Sequence, residues 1–339
     1  MGSLTEPRRA EPLILTMGEP AGVGGEIAAK AWAALRGTGP AFAFLGDASL
    51  LGGIPTEVVA DLGAVRSVFP RALPVLHRPL PTRSLPGRPD VANAPAVISV
   101  IEEAVALARA GHASGIVTNP IQKATLTAAG FGFPGHTEFL AHLCGGATPV
   151  MLLAAPSVAP PLRTVPVTIH EALRRAVARL DTGTIVGIAR ITADGLRRDF
   201  GILRPRLVLS GVNPHAGEDG TMGTEDRDVV APAVAALRDE GWDVRGPLPA
   251  DTLFTPGARA GYDAAVCMYH DQALIPVKTL DMAGGVNVTL GLPVVRTSPD
   301  HGTALDIAGR GIADPGSLVA AIRMAAEIAR NRASAGASA

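Results

Sequence analysis

The chain alternates between short, continuous apolar runs and longer stretches in which apolar residues recur every three or four positions. Leu13-Ile14-Leu15-Thr16 is apolar almost throughout, the pattern of a strand covered on both faces. A Gly-rich turn follows it, and then helical spacing over 25–35. Phe42-Ala43-Phe44-Leu45-Gly46 predicts a second strand. Over 94–110 the apolar positions Val97, Ile98, Ile101, Ala104, Val105 and Leu107 fall on one helical stripe. The Pro- and Arg-rich segment 70–93 reads as a long surface connection. Ile116-Val117-Thr118 predicts a strand, with a helix following through Ala129. Further strands are predicted at 150–153, 164–168, 206–209, 264–268 and 286–290. Further helices are predicted at 182–199, 226–240, 303–308 and 316–330. Strands that alternate with helices argue for an α/β fold with a mostly parallel sheet, covered on both faces. No repeat of fixed period is visible, and no clean linker marks a boundary.

Composition narrows the picture. A length of 339 residues suggests two domains, and 47% apolar residues supply ample core. Aromatics are only 4%, so small aliphatic side chains must do the helix-on-sheet packing. The formal net charge is -1 with no basic run, which argues against a nucleic-acid partner. Two cysteines, Cys144 and Cys267, are too few for a disulfide framework, and the apolar surroundings of Cys267 predict a buried, inert thiol. The first residues, MGSLTEPRRAEP, lack the apolar stretch of a signal peptide, and no run of 18 apolar residues occurs, so no membrane span is expected. A cytoplasmic protein with a flexible ASAGASA tail is the expectation.

Among the eight histidines, three share a position. His170, His215 and His270 each stand just past the end of a predicted strand, where ligand sites gather in parallel sheets. One such histidine would be read as a local hydrogen-bonding group. Three in equivalent places favour a metal, because three neutral imidazoles leave coordination positions open for substrate. The Gly18–Glu26 stretch is weak as a phosphate motif: it lacks a Gly-Lys-Ser/Thr ending, and Ile27 occupies the third glycine of a dinucleotide fingerprint. It reads as a tight turn near a cleft. Lys278, Asn287 and Arg296 are polar positions in apolar segments, and Arg296 with Thr297 and Ser298 suits a phosphate or carboxylate. Singly, each charge reads equally well as ordinary surface. His136 and Thr137 open a predicted helix, which Thr137 would cap and whose free N–H groups favour an anion.

Two groups of motifs carry a resemblance. Asp300-His301-Gly302-Thr303-Ala304-Leu305-Asp306, continuing to Pro315, resembles the cofactor loop of isocitrate and isopropylmalate dehydrogenases. That resemblance implies that His301, Gly302, Thr303, Ala304 and Asp306 lie near the adenosine part of NAD or NADP. No basic cluster flanks the loop to suggest a 2′-phosphate. Gly18–Glu26, the 118–123 segment, GHTEFL from Gly135, NPHAGE from Asn213, YHDQ from Tyr269 and the run from Val286 to Ser298 together resemble the 4-hydroxythreonine-4-phosphate dehydrogenase family, over 13–330. The resemblance implies two α/β/α domains, 11–130 with 286–331 on the cofactor side and 131–285 for metal, substrate and dimerisation, with the active site in the interdomain cleft. It implies one divalent cation (zinc, magnesium or cobalt) on His170, His215 and His270, with ligands drawn from both subunits of a homodimer. His136, Thr137, Lys278, Asn287 and Arg296 match substrate-binding positions. Lys278 is the candidate for proton transfer, and Asp271 for orienting His270.

The sequence departs from the family pattern at Glu19, Gln122, Gly25 and Glu171, none of them a matched ligand. Relatives acting on phosphorylated threonate or erythronate share the same contacts, so the motifs do not separate these substrates. A phosphate or acyl transferase on a similar fold is the reading from another class, and the 300–315 loop argues against it. A non-catalytic phosphate-binding protein is disfavoured by the three histidines, since anion capture needs no metal.

Overall fold

In the computed structural model, which describes residues 11–337, the chain divides into two compact units. The first comprises the described residues up to Ala147 and those from Pro293 onward; the second is Thr148–Leu292. The polar N-terminal residues 1–10, read above as carrying no signal peptide, and the last two residues of the tail lie outside the described residues.

The first unit runs β1 (Leu13–Thr16), α1 (Gly24–Leu35), β2 (Phe42–Gly46), β3 (Thr56–Val58), α2 (Val65–Val68), β4 (Leu73–His77), α3 (Ala94–Arg109), β5 (Gly115–Thr118), α4 (Lys123–Ala128) and α5 (His136–Leu143). Within the second unit come β6 (Val150–Ala155), β7 (Leu162–Pro166), α6 (Leu173–Ala178), α7 (Thr182–Phe200), β8 (Arg206–Ser210), α8 (Ala231–Asp239), β9 (Asp243–Leu248), α9 (Ala250–Leu253), α10 (Pro256–Arg259), β10 (Ala264–Cys267), α11 (His270–Leu280) and β11 (Val286–Leu290). The chain then returns to the first unit with β12 (Arg296–Pro299) and α12 (Gly316–Ala337).

In the first unit the strand order is β3-β4-β2-β1-β5-β12, parallel throughout. β1 and β2 are buried at every residue, which requires cover on both faces and explains their unbroken apolar sequence. α3 packs on β1, β2 and β5 through Ala94, Val97, Val100, Ile101, Ala104 and Val105. The segment Val91–Arg109 is long and apolar enough to cross a membrane by composition, with mean hydropathy 1.5, but its apolar stripe is spent on this sheet.

In the second unit the order is β11-β6-β7-β10-β8-β9. β6 runs antiparallel to both neighbours, and β7, β10, β8 and β9 are mutually parallel. Alternation along β10 splits the core. Ala264, Val266 and Met268 join Ile185, Ala189, Leu196 and Leu237 of α7 and α8. Ala265 and Cys267 face the other way, onto Ala273 and Val277 of α11. Helices therefore cover both faces. Burial pushes the Cys267 thiol up to about 12, the inert state expected.

Three local readings change. The 70–93 connection contains β4, an interior strand. Residues 303–308 form no helix: 303 and 304 are irregular and 305–308 turn, because Ala304 adopts φ 46°, which a helix does not accommodate. The tail continues α12 to Ala337.

Candidate functional site

β7, β10 and β8 are neighbours and parallel, so their carboxyl ends lie side by side. His170 stands four residues past β7, His270 opens α11 after β10, and His215 stands five residues past β8. The His170 and His270 rings lie 5.6 Å apart, centroid to centroid. Both border a 370 Å3 cavity with Glu171, Tyr269 and Asp271. His270 Nδ1 lies 2.7 Å from Asp271 Oδ1. A carboxylate on Nδ1 selects the tautomer that leaves the Nε2 lone pair facing outward, the form that binds a cation. His170 (φ 39°) and His215 (φ 52°) both hold left-handed backbone, a strained state for a residue with a Cβ. Among the described residues, no group of three or more His, Cys, Asp or Glu side chains comes together as a metal site within one chain. The donor chemistry nonetheless suits a divalent cation: two adjacent imidazoles, one already oriented, and a third at the next strand end.

Gln272, buried on α11, ties the strand ends together. Its Oε1 accepts from Ser210 Oγ at 2.6 Å and from Met268 N at 2.7 Å, and its Nε2 donates to Gly211 O at 2.7 Å. One side chain thus joins the roots of the His215 and His270 segments. Lys278, half-buried, lies eight residues beyond His270 on α11, about 12 Å along the axis and near the same stripe. Asn287 on β11 has its Oδ1 buried without a hydrogen-bond partner, a state that a bound donor would relieve.

The first unit holds the other polar cluster. Arg296, on β12, is 5% exposed, and its Nη2 donates to Thr118 Oγ1 at the end of β5 at 2.7 Å. Burial pushes the guanidinium down to about 10, against the opposing pull of Glu138. His136 is the first residue of α5. Burial and the Arg296 charge hold its imidazole well below the ordinary range, so it is neutral at pH 7. Its Nε2 is buried with no partner. Gly135, not Thr137, occupies the cap position, and no side chain caps the helix. Thr137 therefore sits inside the first turn, where backbone N–H groups lack helical partners. A buried cation, a neutral imidazole and free N–H groups together suit an anion.

The 301–313 loop is held by the Gly-rich turn and by α1. Val23 N donates to Thr303 O at 3.0 Å, and a Cβ on Gly22 would meet that oxygen at 2.8 Å. Glu26 accepts from Ala313 N at 2.8 Å and Gly311 N at 3.2 Å, while Lys30 Nζ reaches Ala313 O at 2.6 Å and Gly311 O at 3.0 Å. His301 Nδ1 lies 2.9 Å from Gly302 O, its Nε2 is buried without a partner, and Asp306 is exposed. Beside this loop an 810 Å3 cleft is lined by Gly22, Lys30, Ser49, Arg83, Gly309 and Gly311. The sequence reading missed Gln272, Glu26 and Lys30. The YHDQ motif contained the first, but only its buried contacts reveal the role.

The family model described as pyridoxal phosphate biosynthetic protein PdxA matches residues 47–325. The chain belongs to the PdxA family. A PdxA-family relative from Paracoccus denitrificans, 4-hydroxythreonine-4-phosphate dehydrogenase, is 57% identical over 95% of this chain and 99% of its own length. The dehydrogenase of the same name from Caulobacter vibrioides is 55% identical over 95% and 99%. The solved structure of 4-hydroxythreonine-4-phosphate dehydrogenase from Klebsiella pneumoniae superposes with a TM-score of 0.82 at 36% identity, over 94% of this chain and 99% of that one. This PdxA-family chain is a dehydrogenase that acts on a CH–OH group with a nicotinamide cofactor.

Proposed function

We propose that the chain oxidises 4-phosphohydroxy-L-threonine with NAD and releases CO2, yielding 3-amino-2-oxopropyl phosphate for pyridoxal phosphate synthesis in the cytoplasm. Its family membership and the names of its relatives support the substrate. The observation that carries the chemistry is the pairing of the His170 and His270 rings at the carboxyl ends of neighbouring parallel strands, with His215 at the next.

Arg296, His136 and Thr137 hold the anionic ends of the substrate. Arg296 supplies the charge, and neutral His136 supplies a hydrogen bond from or to Nε2. Asn287 turns its buried Oδ1 to a substrate donor, which fixes orientation. His170, His215 and His270 would hold a divalent cation, with Asp271 keeping the His270 ring in the binding tautomer. The family resemblance supports a ligand set that is completed across a homodimer. The cation, when bound, supplies a Lewis acid that eases deprotonation of the substrate hydroxyl and stabilises the charge left as CO2 departs. Lys278 moves the hydroxyl proton or contacts the carboxylate. His301, Gly302, Thr303, Ala304 and Asp306 would line the nucleotide's path, and the nicotinamide cofactor, when bound, would supply the hydride acceptor.

The test is His215→Ala. It should abolish turnover and remove bound metal while the unfolding transition stays in place. Near-normal activity with unchanged metal content would sink the assignment.

A further inference from the structure

The loop from Gly211 to Gly220 is the most strained backbone among the described residues. His215, Ala216, Glu218 and Asp219 all carry positive φ, between 40° and 55°, and Gly217 lies at 80°. Left-handed backbone is unfavourable for a residue with a Cβ, and the state persists only where the surroundings over-determine it. Its hydrogen bonds identify the restraint. Asp226 is 1% exposed, and its carboxylate accepts three N–H groups from the root of this loop. Val212 N donates to Oδ1 at 2.7 Å; Asn213 N and Asn213 Nδ2 donate to Oδ2 at 3.0 and 3.1 Å. The Asn213 amide is shared with Glu225 Oε2 at 2.8 Å.

The carboxylate also packs closely. A Cβ on Gly211 would lie 3.0 Å from Asp226 Oδ1, and one on Gly217 would lie 3.3 Å from Oδ2. Glycine at both places lets the loop close over the acid. Asp226 itself begins a single π-helical turn, Asp226–Val230, ahead of α8. Such wide turns recur at functional sites because they re-aim one side chain without ending the helix. The result is a buried carboxylate with its lone pairs spent on backbone and amide N–H groups two and three residues before a candidate ligand.

We infer that Asp226 is a positioning residue, which holds the strained 211–220 loop in the one conformation that presents the His215 imidazole to the metal. The inference rests on the metal reading above. Both Asp226 carboxylate oxygens are taken up by N–H donors, so its role would be indirect. It acts through the backbone of Val212 and Asn213, much as carboxylates outside a coordination sphere fix ligand orientation. An asparagine would keep the shape but offer one acceptor in place of two and would turn an N–H toward another N–H.

The experiment compares wild type, Asp226→Asn, Asn213→Ala and His215→Ala as full-length proteins. Cobalt(II) affinity is measured by competition titration, with NADH binding by fluorescence and thermal unfolding without metal recorded alongside. For Asp226→Asn the inference predicts cobalt affinity down by about 10- to 100-fold, unchanged NADH affinity, and a smaller unfolding shift on adding cobalt. Asn213→Ala, which keeps the two backbone bonds, should lose only several-fold and serves if Asp226→Asn does not fold. A folded Asp226→Asn with wild-type cobalt affinity would overturn the inference, as would wild-type affinity in Asn213→Ala should that variant alone fold. Failure of the wild type to bind cobalt, with His215→Ala indistinguishable from it, would instead overturn the metal reading on which it rests.

Discussion

His270 and Asp271 are adjacent in sequence and bonded in space: the ring Nδ1 of one lies 2.7 Å from a carboxylate oxygen of the other. Neighbours in a helix seldom face each other. Here they do so at the first turn of α11, where the chain has just left β10 and the backbone is still turning. The pair makes an oriented imidazole out of a two-residue motif. Asp271 is exposed, so its share is modest. Asp271→Asn should lower metal affinity and kcat by about tenfold and leave cofactor affinity untouched. Metal titration beside steady-state kinetics checks this.

Arg296 leads to a sharper outcome. Its guanidinium is buried and aimed by Thr118 Oγ1. Removing a buried charge that meets an anionic substrate costs about 3 kcal/mol, or roughly a hundredfold in KM. Arg296→Lys keeps the charge but loses the planar fork, and should fall between wild type and Arg296→Ala. Because burial lowers this group to about 10, the cation, and substrate affinity with it, should fade as pH rises through that value. Initial rates across alkaline pH would show KM climbing.

His136 should behave as a neutral partner. Burial and the Arg296 charge lower its pKa well below the ordinary value, so it does not titrate where a free imidazole would. KM for the phosphorylated acid should therefore show no break there from His136. His136→Gln, which keeps a polar atom, should retain more affinity than His136→Ala. A KM break near pH 6.5 that vanishes in His136→Gln would contradict the burial argument.

Glu26 and Lys30 pin the 311–313 backbone to α1. Their ion pair is partly exposed, and its loss costs little global stability. The cost should appear in the loop instead. Lys30→Ala is expected to raise KM for NAD by about three- to tenfold, the worth of roughly one hydrogen bond, with KM for the phosphorylated acid unchanged. Equal effects on both substrates would argue against a local role.

Sheet and helices were legible wherever burial wrote itself as an unbroken apolar run, as in β1 and β2, or as a helical stripe, as in α3. β12 was not legible. It is buried at every residue yet reads Arg296-Thr297-Ser298-Pro299, and its polar groups are accommodated by specific partners such as Thr297 Oγ1 on Ala321 O. α11 was hidden by Pro276 in its interior. The 303–308 segment carries helical spacing but is held out of a helix by contacts with a distant glycine turn, which no local pattern records. The units divide after Ala147 and Leu292, points that no shift in composition marks; α5 packs on α3, and β11 pairs with β6. In the site, the three histidines stood out because each followed a strand. Asp226 and Gln272, which hold the roots of the His215 and His270 segments, did not, because most of their partners are backbone atoms.

The proposed reaction is checked by NADH formation at 340 nm, followed with purified protein, a divalent metal and 4-phosphohydroxy-L-threonine, beside 4-phospho-D-threonate and 4-phospho-D-erythronate. A metal-dependent rise with the first substrate, lost on chelation and restored by added metal, is expected. A rise with only the other two would contradict the substrate assignment, and no rise with any, in a metal-loaded protein, would contradict the proposed reaction.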